Sequence, residues 1–369
     1  MDAAYVNKFA ISQSAIKDWK DMAPQKWYDT WVSKTRKRPQ RTATNFGSYL
    51  DCIMFTPDAI DKRFIVSDVT IPSEKVTAVV NEIYNHLLEL NKNAEFVNAE
   101  VIKNKVKGQK VVKVAEKPID LTDVELVKSI CVKMDYYKTK PAQAYNEIMK
   151  HGAEYFDFLK TTTGRVVVSS EDKKMAEELR DILTTDKVCR GFFIPKKGCE
   201  VLFQVHLYGQ FEVSFDNVQV LPTKGAVDIL HINHNRKEIR EVDLKCTDDA
   251  FKFDDITGPI KRFDYVGQHS FYDYLLREWI KTYKDGMYKD YSVMNPLNVV
   301  IDREAKVPYL YEYNQNDLYV KRHGIENTKI RGWEDILNEI AFHLDCNDWS
   351  RPMQHIKNGR MFINVFSRR

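Results

Sequence analysis

The sequence predicts a mixed α/β fold in which a β-sheet is flanked by helices. Short runs rich in Val, Ile, Leu and Phe, which are typical of buried strands, occur between residues 200 and 245. Two later runs are expected to be strands as well: Asn298 to Asp302 and Tyr309 to Tyr313. Apolar residues repeat at helical spacing in several segments on both sides of these runs. Together the two periodicities favour a sheet with helices packed against it.

The N-terminal part is predicted to be largely helical. A helix over residues 12–23 begins with a serine N-cap and stops at Pro24, and a second helix covers residues 45–55. The polar, lysine-rich segment 76–149 is expected to be an inserted helical subregion. It contains an amphipathic helix (Lys75 to Leu90), alternating Val and Lys typical of an edge strand or hairpin (Lys103 to Lys117), and a helix from about Leu121.

The rest of the chain predicts an antiparallel meander of strands between helices. The predicted elements are, in order, a helix from Ser170 to Leu183 that starts with a capping box, a hairpin from Glu200 to Val213 that turns at Tyr208-Gly209, strands that end at Asp228 and Lys245, a helix from about Pro259 to Tyr283, the two later strands, and a helix from Trp333 to Leu344. We expect the last helix to pack on the sheet.

Three acidic residues and a lysine stand out in the apolar runs: Glu200, Asp228, Asp243 and Lys245. Carboxylates in buried strands are costly unless something pairs with them, and a divalent cation is the usual partner. Because side chains alternate along a strand, Asp243 and Lys245 point to the same face. An ammonium beside a carboxylate cage is the arrangement needed to activate water against a phosphodiester. The carbonyl oxygen of Leu244, between the two side chains, could add a further ligand.

The same residues allow other interpretations. An isolated Asp-x-Lys is commonly a solvated strand end, and Glu200 could be a surface acid rather than a ligand of the same ion or a second one. Lys245 could orient the attacking water, help to deprotonate it, or stabilise developing charge. The combination of Asp228 after one strand, a turn, and Asp-x-Lys in the next strand favours the metal site.

The composition is that of a soluble globular protein. The 369 residues carry a net charge of only +3. No run approaches the roughly 20 apolar residues that a membrane span needs, and no signal-peptide pattern is visible. We therefore expect an intracellular, cytoplasmic protein without a membrane partner. The six cysteines form no Cys-x-x-Cys pair, which favours reduced thiols.

A basic loop is predicted between the first two helices, at residues 34–41. It contains Arg36, Lys37 and Arg38, and it follows three aromatic residues, Trp27, Tyr28 and Trp31. Basic side chains neutralise phosphates and aromatic rings stack on bases. The loop is either a DNA-binding element or a solvated loop.

The chain resembles the PD-(D/E)XK nuclease superfamily and, within it, the phage RecE-type exonucleases (exodeoxyribonuclease VIII-like). Val242 to Thr247, followed by Tyr265 to Tyr274, is similar to the family's V-D-L-K-T and Y-x-x-Q-x-x-x-Y signature. Ile11 to Trp19 resembles its I-S-x-S-x-L helix, and Phe46 to Pro57 its F-G-S-x-x-H-x-x-x-x-x-P segment. Where the family carries a histidine ligand, this chain has Asp51, which is either a hard oxygen ligand or a helix-surface acid.

The resemblance implies a restriction-endonuclease-like core at residues 165–345 within one elaborated domain, 1–369. Asp228 and Asp243 would bind Mg²⁺, with Mn²⁺ as the possible substitute. Gln268 and Tyr272 lie four residues apart on one helical face, which the resemblance places at the active site. Gln268 would contact the scissile phosphate or Lys245, and Tyr272 and Thr247 would contact DNA. The ring of Tyr272 would also suit a core-facing stripe.

The function that the resemblance implies is a metal-dependent exonuclease that degrades duplex DNA ends in the 5′-to-3′ direction during phage-type recombination. A single-strand annealing protein and a ring-like homo-oligomer are the implied partners. No iron–sulfur cluster is expected, because only Cys346 lies in the last hundred residues. The alternatives are a structure-specific or nicking endonuclease on the same core, and an inactive DNA-binding assembly module, which Asp51 favours.

Overall fold

A computed structural model describes most of the chain. The described residues are 9–36, 45–69, 72–105, 120–162, 164–255, 258–326, 328 and 330–359, without the side chains of 92–105. The contacts divide the chain into two compact units: Met1–Pro57 with Met175–Arg369, and Asp58–Lys174. The second unit begins before the expected insertion at 76–149 and ends after it.

Most of the strands lie between residues 199 and 312, and helices predominate before and after them. The helices are α1 (Gln13–Asp21), α2 (Pro24–Trp31), α3 (Asn45–Phe55), α4 (Ile60–Arg63), α5 (Glu74–Lys105), α6 (Val124–Lys133), α7 (Pro141–Thr162), α8 (Ser170–Thr185), α9 (Pro259–Phe263), α10 (Tyr265–Thr282), α11 (Gln315–His323), α12 (Trp333–Cys346) and α13 (Met353–Asn358). The strands are β1 (Phe64–Val66), β2 (Val166–Val168), β3 (Cys199–Glu212), β4 (Val220–Asn233), β5 (Glu238–Thr247), β6 (Ser292–Val293), β7 (Leu297–Asp302) and β8 (Pro308–Glu312).

The first unit is built on a six-stranded mixed sheet with the order β3-β4-β5-β7-β8, in which β6 also pairs with β5. Strands β3, β4 and β5 form the predicted antiparallel meander. Strand β7 then runs parallel to β5, and β8 runs antiparallel to β7. A parallel return needs a crossover, which contains α9 and α10. The prediction of a mixed sheet flanked by helices is confirmed.

The predicted hairpin turn at Tyr208-Gly209 is wrong. Strand β3 runs through both residues, and the hairpin closes later, where the Val213 N–H donates to the Gln219 carbonyl at 2.9 Å. Gly209 is required for a different reason, since a Cβ there would lie 2.8 Å from a methyl carbon of Leu275 in α10. Glycine in a strand here marks close approach of a helix rather than a turn.

The main core of this unit lies between the sheet and helices α1, α10 and α12. Phe271 and Leu275 of α10, and Ile336 and Ile340 of α12, are buried against strand residues such as Leu230. Helix α1 begins where the Ser12 hydroxyl accepts a hydrogen bond from the Ala15 N–H, as the serine cap predicted. These contacts fix α10, the helix that carries the Gln268 motif, over the centre of the meander.

The second unit has its own helical core. Helices α5, α6 and α7 pack through buried residues that include Val80, Ile83, Ile148 and Phe156, and β1 pairs with β2 in parallel. The expected edge strand from Lys103 to Lys117 begins inside α5, and its residues 106–117 lie outside the described residues. Among the helices that the structure describes, none is long and apolar enough to cross a membrane.

Replacing Gly225 with Ala tests how closely α10 packs on β4. An added Cβ would lie 2.8 Å from the Tyr272 ring and 2.9 Å from Leu275. We expect the free energy of unfolding to fall by about 1–3 kcal/mol in urea titrations, because overpacking forces the helix to shift. The control is Gly47→Ala in α3, where an added Cβ would have no atom of the described residues within 4 Å. That change should stabilise by about 0.5–1 kcal/mol. Equal stability of the two variants would contradict the prediction.

Candidate active site

The site forms where the pairing between β4 and β5 ends. The last pair in this ladder is Ile229 with Val242, so Asp228 and Asp243 are the next residues on the two strands. Strand β5 continues beyond this point with β7 as its partner, through the pairs from Asp243–Asn298 to Thr247–Asp302. Among the described residues, no strand therefore pairs with this part of β5 on the side that faced β4, and two carboxylates lie at the opening.

The carboxylate of Asp228 spans this opening. Its Oδ2 accepts a hydrogen bond from the Leu244 N–H at 3.1 Å, and its Oδ1 accepts one from Gln204 Nε2 at 3.1 Å. Burial raises the pKa of Asp228 well above its usual range, and Asp243 and Asp51 raise it further, while Lys245 opposes them. A negative charge on Asp228 is therefore unfavourable, chiefly because the carboxyl is buried.

The carboxylate of Asp243 is 3% exposed and has donors on both oxygens. Gln268 Nε2 donates to Oδ1 at 2.8 Å, and Asn298 Nδ2 donates to Oδ2 at 2.9 Å. The ammonium of Lys245 forms an ion pair with the same Oδ2. Three groups from α10, β7 and β5 thus hold one carboxylate, which is how a buried charge of this kind becomes tolerable.

The ammonium of Lys245 lies beside Asp243 and near an aromatic ring. Its Nζ is 5.2 Å from the centre of the Tyr265 ring. Burial disfavours the charged form, but the carboxylates of Asp243 and Asp228 more than offset it and raise the pKa of Lys245. In this arrangement Lys245 is an ammonium, so it can donate a hydrogen bond and stabilise negative charge.

Gln204 is a site residue that the sequence analysis missed. It lies between the β3–β4 pairs Phe203–Ile229 and Val205–Val227, and therefore opposite Asp228. Its φ is +51°, a left-handed conformation that costs a residue with a side chain about 1–2 kcal/mol. The strained backbone accompanies the hydrogen bond to Asp228. The sequence indicated this role only weakly, because a single polar residue in an otherwise apolar strand can have many structural causes.

Several predicted residues lie with or near this cluster. Gln268 contacts Asp243 directly, and the ring of Tyr272 lies over the position of Gly225. Burial raises the pKa of Tyr272, with Asp243 as a further cause, so the phenol keeps its proton at neutral pH. Asp51 is on α3, which packs against β5. Thr247 ends β5 two residues beyond Lys245.

Glu200 lies apart from the cluster. Glu200 pairs with Ile232 and is four residues from Gln204, about 13 Å along the strand. Its carboxylate accepts a hydrogen bond from the Tyr288 hydroxyl at 3.0 Å and lies 3.4 Å from His234 Nε2. Arg36 is exposed, and Lys37 and Arg38 lie outside the described residues.

The oxygen atoms at the opening have the chemistry that a magnesium ion requires. Asp228, Asp243 and the carbonyl of Leu244 offer hard oxygen atoms, and a cation would favour the charged form of Asp228, which burial disfavours. In the described part of the chain no three His, Cys, Asp or Glu side chains converge as a metal-binding group. The carboxylate oxygens are instead held by amide, main-chain and ammonium donors, some of which an ion would replace.

The raised pKa of Asp228 makes stability depend on pH. Between the ordinary and the raised pKa, the folded state binds more protons than the unfolded state, so stability falls as pH rises. Asp228→Asn removes this penalty and keeps an oxygen for the Leu244 N–H. We expect the Tm at pH 7.5 to rise by about 2 °C, which corresponds to about 1 kcal/mol. The gain should shrink as pH falls through the raised pKa.

Thermal unfolding followed by circular dichroism from pH 4 to pH 7.5 measures this effect. Asp290→Asn is the matched control, because Asp290 is exposed and the change in charge is the same. Its Tm should follow that of the wild type at every pH. A lower Tm for Asp228→Asn than for the wild type at pH 7.5 would contradict the assignment of a costly charge to Asp228.

Comparison with protein-family models and with curated protein sequences gives no match to this chain. The resemblance to the PD-(D/E)XK nucleases therefore rests on the motifs of the sequence. Any function has to be argued from the residues that meet where the β4–β5 ladder ends.

Proposed function

We propose that this chain is a metal-dependent deoxyribonuclease that hydrolyses phosphodiester bonds from the ends of duplex DNA. The observation that carries the proposal is the meeting of Asp228, Asp243, Lys245 and Gln268 at one opening in the sheet. Two carboxylates, an ammonium and an amide donor are the groups that a metal-assisted phosphodiester hydrolysis needs. The preference for ends and the 5′-to-3′ direction come from the family resemblance alone.

The metal would be Mg²⁺ or Mn²⁺. Asp228 and Asp243 would hold it together with the carbonyl oxygen of Leu244, and Asp51 is a further candidate on the adjoining helix. When bound, such an ion lowers the pKa of a water molecule and neutralises charge on the reacting phosphate.

The protein's own residues orient the substrate and stabilise its charge. The Lys245 ammonium is available to stabilise negative charge that develops on the phosphate oxygens. Gln268 holds Asp243 through its amide N–H, so its amide oxygen, which has no donor among the described residues, can accept a further hydrogen bond. Tyr272 keeps its phenolic proton and can donate a hydrogen bond to a phosphate.

The charge arrangement also bears on the alternative of an inactive assembly module. Burying Asp228 beside Asp243 is unfavourable, as the raised pKa of Asp228 records. A purely structural sheet is better stabilised by apolar residues at these positions. The presence of costly like charges at this position supports a catalytic role.

Digestion of linear and closed circular duplex DNA tests the proposed function. We expect the wild type with Mg²⁺ to degrade linear DNA and to leave closed circles intact, and EDTA to abolish the reaction. Asp243→Asn should lower the rate by about 10²–10³-fold, because a catalytic metal contributes several kcal/mol of stabilisation to the transition state. Asp290→Asn, a matched change on an exposed side chain, should cleave at the wild-type rate.

The other outcomes are equally informative. Metal-dependent cleavage of closed circles would replace the exonuclease with a structure-specific or nicking endonuclease on the same site. Absence of cleavage of either substrate, with DNA binding retained, would leave an inactive DNA-binding module. Full activity of Asp243→Asn would place the chemistry elsewhere in the chain.

Gln204→Gly separates the strain at this residue from its contact with Asp228. Glycine adopts φ near +51° without strain, so stability should stay within about 1 kcal/mol of the wild type or rise. The lost hydrogen bond to Asp228 should lower the cleavage rate by about 10–100-fold, as for other groups that orient a metal ligand. Urea titration and the linear-DNA assay measure the two effects.

Lys237→Gly is the control for this prediction. Lys237 has a φ of +53° and is exposed in the turn between β4 and β5. Its replacement should relieve similar strain and leave the cleavage rate unchanged. If Gln204→Gly and Lys237→Gly gave the same rate, Gln204 would have no role in the site.

A further inference from the structure

Four cationic side chains lie at the corner where α9 meets α10. This corner cluster consists of Lys20 in α1, Lys261 and Arg262 in α9, and Lys321 in α11. The chain turns the corner at Asp264, whose φ of +56° is left-handed. Three stretches that are distant in the sequence therefore bring positive charges to one turn of the chain.

A single carboxylate accompanies the corner cluster. Asp264 Oδ2 lies 2.9 Å from the Lys20 ammonium, and Oδ1 lies 2.6 Å from the Lys321 ammonium. In the described part of the chain, Asp264 is the one carboxylate that forms an ion pair with any member of the cluster. Four positive charges and one negative charge leave this corner with a net charge of +3.

The cations of the corner cluster act strongly on Asp264. Burial alone would raise the pKa of Asp264, but Lys20 and Lys321 more than offset it, so that the pKa is lowered. Asp264 is therefore a carboxylate at neutral pH, and each of its oxygens already holds one ammonium group. Because like charges held together repel each other, a further anion would be bound favourably here.

The corner cluster adjoins the candidate active site. The Gln268 N–H donates to the Asp264 carbonyl at 3.1 Å, so that Gln268, which contacts Asp243, lies one helical turn away. Tyr265, the residue after Asp264, has its ring centre 5.2 Å from the Lys245 Nζ. One helical turn rises about 5.4 Å, which is less than two base-pair steps of a DNA duplex.

The charged groups of the corner cluster are accessible. The side chains of Lys20 and Lys321 are 38% and 36% exposed, and both border an open cleft of about 570 Å³. Lys261 and Arg262 are exposed on α9. Because these cations come from three helices and line no closed pocket, they suit an extended chain of phosphates better than one small anion.

We propose that the corner cluster binds the phosphate backbone of duplex DNA next to the phosphodiester that is cleaved. Contacts of this kind position the substrate without reading its sequence, and they weaken as the salt concentration rises. The identity of the polyanion rests on the proposed nuclease function. The expected basic loop at residues 34–41 is not needed for this contact.

DNA binding measured in EDTA tests the surface without hydrolysis. Fluorescence anisotropy of a labelled duplex of about 30 base pairs is followed from about 50 to 200 mM NaCl. Lys261→Gln combined with Arg262→Gln should weaken binding at about 100 mM salt by about 10–100-fold. It should also reduce the slope of log K against log salt concentration by about 2. Unchanged affinity and slope, or absence of binding by the wild type, would overturn the proposal.

Asp264→Asn tests the sign of the effect. Asparagine tolerates a left-handed φ and keeps an oxygen for the two ammonium groups. Loss of the one negative charge should tighten DNA binding by about 3–10-fold, whereas damage to the corner would weaken it. Weaker binding at an unchanged Tm would overturn the proposal. If this variant does not fold, the double variant on exposed α9 still decides.

Lys281→Gln combined with Lys289→Gln is the matched control. Both side chains are exposed, and Lys281 lies near the other end of α10, about 25 Å from Asp264 at about 1.5 Å per residue. DNA affinity should stay within about threefold of the wild type. An equal loss in the two double variants would mean that net charge, rather than the corner cluster, governs binding, and would overturn the proposal.

Cleavage kinetics with Mg²⁺ separate this surface from the chemistry. Lys261→Gln combined with Arg262→Gln should raise KM for linear DNA by about 10–100-fold and leave kcat within about threefold, because the phosphates it contacts do not react. A fall in kcat with unchanged KM would overturn the proposal. If the wild type binds DNA with the expected salt dependence and cleaves none, the proposed function fails and the corner cluster stands.

Discussion

The geometry of the candidate site depends on one constraint, the burial of the Asp243 carboxylate at the point where β5 leaves β4. A carboxylate that is 3% exposed needs a donor for each oxygen, and the main-chain groups of a sheet are used in pairing strands, so side chains must supply these donors. The donors come from three places: the Gln268 amide on α10, the Asn298 amide on β7, and the Lys245 ammonium on β5 itself. Because these three donors contact one carboxylate, helix α10, strand β7 and the side chain of Lys245 are held in fixed positions relative to each other.

Helix α10 can meet this requirement because glycines let it approach the sheet. Gly209 and Gly225 lie on neighbouring strands under Leu275, and a Cβ on either would come within 2.9 Å of that side chain. The close approach brings two consecutive residues of the helix to β5 and β7: Gln268 reaches Asp243, and His269 reaches Asn298. A helix held farther away would leave both carboxylates, Asp243 and Glu241, without these partners.

The sequence predicted the parts of this site that follow from periodicity. Alternation in β5 places Asp243 and Lys245 on one face, and the apolar patterns located helices α1, α3, α8 and α12 to within a few residues. Strand β4, however, continues beyond its predicted end at Asp228 to Asn233, and the helix predicted from Pro259 to Tyr283 is divided into α9 and α10. The sequence could not predict the role of Gln204, because a left-handed φ within a strand leaves no trace in the residue pattern. It also could not predict that Glu200 lies away from the site, since that distance depends on the register of the hairpin. The turn assigned to Tyr208-Gly209 failed for a related reason. Glycine is equally typical of turns and of close helix packing, and only the tertiary contact with Leu275 distinguishes them.

The Glu241–His269 pair argues that specificity, rather than stability, shaped the interior behind the site. His269 Nδ1 lies 2.7 Å from Glu241 Oε2, and Glu241 Oε1 lacks a partner among the described residues. A buried polar pair of this kind gains little over well-packed apolar side chains of similar volume. On its other side, His269 Nε2 lies 3.2 Å from Oδ1 of Asn298, whose Nδ2 donates to Asp243 at 2.9 Å. Because an amide oxygen only accepts, Nε2 carries a hydrogen and acts with the Tyr313 hydroxyl to keep that oxygen turned away from Asp243. The orientation of a carboxylate on β5 in this way depends in part on a ring on α10.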